Sequence, residues 1–274
     1  MAAIDIDSIR RAARCEALDV EALDEAGSTN RLLMEAPFGD KAARPRLLAV
    51  ARQTAGRGRR GRGWVMEPGR SAAFSIALER QARGTGPAAG LSIAAGVAAA
   101  EALAGFAGDV GLKWPNDLQR GQRKFGGILV ESRRGPAGGA PVERYVVGIG
   151  LNLLAPRDAA GAIGQAFTGL FDGETLPVQA EVVIGRVAGA VVEAARRFFS
   201  EGLEPFADVW HRFDVLRGRQ VAALADGRPE AVGVAVGIDG EGALLLATGS
   251  GTRAVRSGEV SVRTVAASSP LADA

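Results

Sequence analysis

The stretch "QTAGRGRRGRGW", residues 53–64, sets four arginines within six positions, alternates them with glycine and closes on Trp64. Guanidinium forks pair with phosphate or carboxylate oxygens, and glycine lets a backbone come close to what it wraps. Arg57, Arg59, Arg60 and Arg62 could therefore close over an anion, with Trp64 offering a ring face. A second stretch, "KWPNDLQRGQRKFGGILVES", residues 113–132, brings Asn116, Asp117 and Lys124 together near strand ends. A carboxylate, an amide and a lysine there suit Mg²⁺, a ribose or an acyl phosphate, and a compact ammonium can draw two anions together. In a third, "GIGLN", Gly148 and Gly150 let a neighbour pass close to the strand that carries Asn152. Each also has a plain structural reading: a solvated or RNA-binding arginine turn, an Asp capping its own turn, a hydrogen-bonded core Asn.

Composition narrows the field. The chain has 274 residues, 47% of them hydrophobic and 23% charged, which is enough apolar material for a substantial core and wrong for disorder. The net charge of +2 gives no overall field toward nucleic acid or membrane, so any cationic site must be local. Lysine is confined to Lys41, Lys113 and Lys124. The single cysteine, Cys15, excludes an internal disulfide or multi-cysteine metal site and reads as a packing residue. The single histidine, His211, excludes a histidine-clustered zinc site and reads as structural. No motif of the GxGxxG, P-loop or GxSxG kind is present. The N-terminus has no apolar core and no apolar 18-mer occurs, so a cytoplasmic protein with no membrane partner is expected.

The elements that must hold these residues can be read in outline. A helix over 6–16 precedes a strand, and "GSTN" opens a helix to Met34, with Ser28 and Thr29 as capping hydroxyls. Strands are expected over 47–51, 72–78, "VGLKW", "GGILVES" and 144–154, with a polar turn near Gly121. The Ala-rich segment 91–106 reads as a buried helix, and 177–199 as a long helix with Pro177 in its first turn, followed by a shorter one through Trp210. From Arg217 the texture becomes five short strands with DG, EG and SG turns, a small barrel. The expected division is 1–216, 217–266 and a tail over 267–274.

Taken in order, "GSTN", "QTAGRGRRGRGW", "KWPNDL", "RKFGGILVES" and "GIGLNL" resemble the biotin protein ligase family, and the likeness extends through the barrel to cover nearly the whole chain. The resemblance implies an α+β fold, an SH2-like mixed-sheet catalytic domain with a C-terminal SH3-like β-barrel. It implies an enzyme that makes biotinyl-5′-AMP from biotin and ATP with Mg²⁺, then moves biotin to a lysine of a biotin carboxyl carrier domain. By the same resemblance Ser28, Thr29, Asn30, Gln53, Gly56 and Gly127 would hold biotin, and Arg57 would hold its carboxylate and then the adenylate phosphate. Lys124, catalytic with Arg57, would bridge the carboxyl oxygen and the α-phosphate. Arg59, Arg60, Arg62, Trp64, Asn116, Asp117 and Asn152 would serve the nucleotide, with Asp117 near Mg²⁺. The family often dimerises through its central sheet, so a homodimer is an implied partner.

The sequence also departs from the family pattern. Only about 20 residues precede the catalytic motifs, too few for the winged helix-turn-helix of the repressor members, so no DNA binding is expected. "RSAAFSIAL" replaces a more usual Gly-Asn-Leu, and Gly126 stands where Ala is commoner, which implies altered pocket packing at most. The related lipoate ligases carry a His-Asp signature that is missing here. An RNA-binding module remains the alternative from another class; it would call for lysines and aromatics interleaved with the arginines.

Overall fold

The computed structural model describes residues 3–38, 44–82, 88–137, 140–157, 166–225, 228–258 and 260–265. Lys41 and the expected tail 267–274 lie outside the described residues. The chain runs α1 (Ile6–Ala13), β1 (Asp19–Ala26), α2 (Thr29–Glu35), β2 (Arg46–Gln53), β3 (Gly56–Arg57), β4 (Gly63–Trp64), β5 (Ser71–Gln81) and α3 (Ala88–Ala104). It continues through β6 (Val110–Lys113), β7 (Asp117–Arg120), β8 (Arg123–Ala137), β9 (Ala140–Asn152), α4 (Ala180–Glu201) and α5 (Ala207–Phe213). Five more strands close it: β10 (Gln220–Ala225), β11 (Arg228–Ile238), β12 (Leu244–Thr248), β13 (Gly251–Val255) and β14 (Val260–Thr264).

Seven strands form one mixed sheet in the order β1-β2-β5-β9-β8-β7-β6, antiparallel throughout except for the parallel pair β1–β2. Alternation divides its faces. Phe74, Ile76, Ile128, Val147, Ile149 and Leu151 join the main core with the apolar residues of α3 and α4. α3 is Ala-rich and buried on most sides, as its composition demands. On the opposite face, Lys113, Asp117, Gly127, Gly150 and Ala73 stand in one row across five strands, partner to partner. That row is polar at one end and small along the rest, so this face is left as a trough.

Some boundaries differ from the sequence reading. Asp117 begins a strand of its own: the chain turns at the cis Trp114–Pro115 bond, then again at Gly121, where φ is +57°. β8 and β9 run well past the apolar segments into "SRRGPA" and "APVE", because cross-strand pairing carries polar residues along a hairpin arm as readily as apolar ones. Pro177 precedes α4, whose N-cap is Gln179. The arginine stretch is a short hairpin: β3 pairs with β4, and Gly58 N donates to Arg62 O at 2.7 Å. The five C-terminal strands are present as a separate antiparallel sheet, β13-β12-β11-β10-β14. Trp114, buried, fastens the two sheets by donating from Nε1 to Gly242 O at 3.0 Å. Cys15 packs against the main core, and His211 lies against Gly237 of β11, both consistent with structural roles.

One buried cation holds α2 in place. Arg144 of β9 is 2% exposed and donates to the carbonyls of Leu33, Ala36 and Pro37, at the C-terminal end of α2 where helix carbonyls lack partners. Its charge is met by Glu79 of β5, itself 6% exposed, and its guanidinium lies 4.4 Å from the Phe38 ring. With its C-terminal end fixed this way, α2 presents its N-terminal residues to the trough. Arg144→Met should cost about 3–5 kcal/mol by removing the cation that Glu79 and the α2 carbonyls are buried against. Urea unfolding checks this, and a loss under about 1 kcal/mol would show that Arg144 is not what anchors α2.

Candidate active site

The position of Lys124 depends on an irregularity. Residues 124 and 127 of a regular strand would face opposite ways, yet in β8 the register shifts: Leu118 pairs Gly126 while Gln119 pairs Lys124. Phe125 is the extra residue of this bulge and turns wholly into the core. Lys124 thereby joins Gly127 on the trough face, where a Cβ at 127 would lie 3.4 Å from Lys124 Nζ. Lys124 Nζ pairs with Asp117 Oδ1 at 2.5 Å, and the backbone of Lys124 is clamped from outside by Ala166 O and Thr168 N.

Around this pair lies a cavity of about 760 Å³. At one end the α2 N-terminus supplies Ser28, Thr29 and Asn30. Ser28 is the expected N-cap, accepting from Arg31 N at 3.4 Å. Gln53 Oε1 accepts from Thr29 N and Oγ1, at 2.9 and 3.1 Å. Ser75 on the floor reaches Thr29 Oγ1 at 2.7 Å and Asn30 Oδ1 at 2.6 Å. The arginine hairpin covers the middle. Arg57 pairs with Glu131 at 3.0 Å, while Arg59 donates to Asn116 Oδ1 at 3.3 Å and to Gly258 O at 3.1 Å. Arg60 sits at the hairpin tip in the left-handed region, φ +59°, beside Gly61 at +69°. A non-glycine residue there costs energy. Lys113, Arg263, Ser261 and Thr264 close the far end, the last three from β14.

The glycines of "GIGLN" have a definite function. A Cβ on Gly150 would lie 2.4 Å from Trp64 Cε2, and one on Gly148 would lie 2.1 Å from Asn30 Oδ1. The neighbours that pass close to this strand are thus Trp64 and Asn30, seated on the floor. Charge is concentrated here. Burial lowers the Lys113 pKa; Asp117 opposes this, and Lys124 and Arg263 add to it. Burial likewise lowers that of Arg59, with Asp117 opposing and Arg60 and Arg62 reinforcing. A bound anion would relieve both.

Of the residues singled out in the sequence, all but two line this cavity. Asn152 is buried off its edge, accepting from Ser71 Oγ at 3.4 Å. Gly56 lies behind the hairpin, where a Cβ would meet Trp64 O at 2.4 Å, so its role is to let β3 and β4 pair. The departures from the usual pattern are local: Ser71 serves Asn152, Ala73 lines the floor, and Gly126 is wedged against Leu118, Leu151 and the Gly150 carbonyl. An alanine at 126 would need those neighbours to shift. The sequence reading passed over Lys113, Ser75, Glu131 and Arg263 as site residues. Ser75 and Glu131 sit in ordinary strand patterns, and only three-dimensional pairing marks them. Asp117 is the single carboxylate of the lining, and among the described residues no group of three His, Cys, Asp or Glu could hold a metal. Such a donor set suits an ion that arrives on a triphosphate better than a protein cage. Among the described residues no helix is long and apolar enough to cross a membrane.

A mixed sheet whose trough is walled by cations and bordered by a second small sheet is suited to an enzyme that takes up a small anion. Residues 25–152 match the Biotin/lipoate A/B protein ligase family, and residues 217–263 match the Biotin protein ligase C terminal domain. The bifunctional ligase/repressor BirA of Salmonella typhimurium is 32% identical over 94% of this chain and 78% of its own. The biotin--[acetyl-CoA-carboxylase] ligase of Paracoccus denitrificans is 36% identical over 76% of this chain and 86% of its own. Among solved structures, the Aquifex aeolicus biotin protein ligase in complex with biotin and ATP superposes with a TM-score of 0.73 at 26% identity, covering 90% of this chain and 99% of the other. The chain belongs to the biotin protein ligase family. Its fold is α+β, an SH2-like mixed sheet with a C-terminal SH3-like unit, as the resemblance implied.

Gly150→Ala should expel Trp64 from its seat and shift its fluorescence to the red, since the other two tryptophans, Trp114 and Trp210, are buried in the core. An emission spectrum identical to wild type would mean that Trp64 does not rest on Gly150.

Proposed function

We propose that this protein is an ATP-dependent biotin protein ligase that forms biotinyl-5′-AMP and transfers biotin to a lysine of a biotin carboxyl carrier domain. The observation that carries this is the convergence of cationic side chains on one cavity whose α2 end is a set of small hydrogen-bonding groups. A carboxylate oxygen of biotin attacks the α-phosphorus of ATP, the bond to the β-phosphate oxygen breaks, and pyrophosphate leaves. In the second step the carrier's neutral lysine attacks the acyl carbon; AMP leaves with the bonding pair, and the amine loses a proton. The first step brings two anions together, so catalysis consists of positioning and charge stabilisation, with no internal nucleophile.

Ser28, Thr29, Asn30 and Gln53, with Ser75, bind the ureido end of biotin, and Gly127 leaves room for its chain beside Lys124. Arg57 and Lys124 meet the carboxylate and the α-phosphate. Arg59, Arg60, Arg62, Asn116 and Trp64 serve the nucleotide. Asp117, the carboxylate of the lining, would hold the Mg²⁺ of MgATP, whose charge would offset that of the phosphates. Asn152 supports the cavity edge without touching ligand. The catalytic unit is 1–216, and the segment from 217 contributes Arg263 and the Arg59 contact at Gly258.

Lys124→Ala is expected to lower biotin-dependent exchange of pyrophosphate into ATP by about 100-fold or more. The fold should survive, because Asp117 keeps Lys113 as a cationic neighbour across β6–β7. Exchange within about fivefold of wild type, with unchanged circular dichroism, would assign the bridging charge to another residue. Exchange supported by lipoate in place of biotin would move the protein to the lipoate branch.

A further inference from the structure

We propose that Glu131, which is not part of the cavity lining, is a positioning residue that fixes the direction of the hydrogen-bond chain at the small-molecule end of the site. The effect on substrate affinity rests on the biotin reading; the hold on Asn30 does not.

A carboxylate only accepts hydrogen bonds, whereas an amide both donates and accepts. Glu131 Oε2 accepts from Asn30 Nδ2 at 2.8 Å, and the Leu129 carbonyl accepts from the same nitrogen at 3.3 Å. With its N–H groups directed to two pure acceptors, Asn30 must turn Oδ1 to Ser75, and Ser75 Oγ lies 2.6 Å away to donate. The one proton of Ser75 is then committed to Asn30, and the Thr29 hydroxyl, whose own proton goes to Gln53 Oε1, stands 2.7 Å from Ser75 Oγ. Thr29 in turn meets Gln53 Oε1, held by Thr29 N at 2.9 Å. A carboxylate at one end thus sets the sense of the links from Asn30 to Ser75.

Flipping Asn30 would set Oδ1 against the Glu131 carboxylate, acceptor against acceptor. The amide has no room to drift either, since it is 4% exposed and seated over Gly148. Glu131 is itself kept in place from outside: Arg57 Nη2 donates to both of its oxygens, at 3.0 and 3.1 Å. The same carboxylate therefore ties the arginine hairpin to the α2 N-terminus. A ligand carrying both N–H donors and a carbonyl acceptor reads the sense of these links, and a flipped Asn30 offers it the wrong partner.

Glu131→Gln keeps the shape and removes the restriction, because an amide can meet Asn30 with either end. In the purified full chain, E131Q should raise the KM for biotin about tenfold, with kcat, the KM for ATP and the Tm nearly unchanged. In an Asn30→Ala background, E131Q should add less than about twofold, because its action runs through Asn30. An unchanged KM for biotin, the same factor in both backgrounds, or equal rises in both KM values with a lowered Tm would each overturn the proposal. A ligand-free readout separates it from the ligase reading. The Asn30 side-chain amide protons should be protected from solvent exchange in the wild type and exchange faster in E131Q. Equal rates would refute the hold by Glu131 whatever the enzyme's substrate, whereas a wild type without biotin-dependent exchange refutes the ligase reading instead.

Discussion

Seven cationic side chains, Arg57, Arg59, Arg60, Arg62, Lys113, Lys124 and Arg263, line one cavity with a single carboxylate, Asp117, among the lining residues described. Holding these charges partly out of water, and close to one another, is unfavourable, and the lowered pKa of Lys113 and of Arg59 records it. The structure offsets the cost locally. Asp117 neutralises Lys124, Glu131 engages Arg57, and neutral acceptors at Asn116 and Gly258 take Arg59. None of these matches a phosphate in charge, so the arriving anions complete an electrostatic arrangement that the protein leaves short of negative charge.

The second sheet belongs to the same scheme. Trp114 docks it on the turn between β6 and β7, the turn that also carries Asn116 and leads into Asp117. β14 then contributes Arg263 to the cavity, and Arg59 reaches the loop before it. A catalytic sheet alone would leave the Lys113 end of the cavity open to water. An adenylate is a mixed anhydride that water destroys, so closing that end has a chemical purpose.

Much of this was legible in the sequence for identifiable reasons. Ser28 reads as a cap because a hydroxyl before an apolar helical run satisfies orphan amides, and the structure uses it so. The arginine run and Lys124 stand out because their residue types are concentrated or rare. The five C-terminal strands follow from regularly spaced turn residues. What stayed hidden depends on long-range pairing. The bulge at Phe125 decides which face Lys124 takes, yet "RKFGG" has no local mark of it. Ser75 and Glu131 become site residues only when β5 and β8 flank β9 beneath α2. Arg144 looks like a surface charge until α2 is seen to end above it. The polar arm of the β8–β9 hairpin reads as loop because its pairing has no apolar signature.

A cavity shaped for a biotinyl adenylate holds one small molecule covalently joined to a nucleotide. Thermal unfolding with biotin, with MgATP, and with both tests it directly, because a ligand stabilises in proportion to how tightly the native state holds it. The joint rise in Tm should be clearly larger than the sum of the separate ones, since the adenylate formed in place spans both ends of the site. A joint shift no greater than that sum, or an equal one with lipoate replacing biotin, would contradict it.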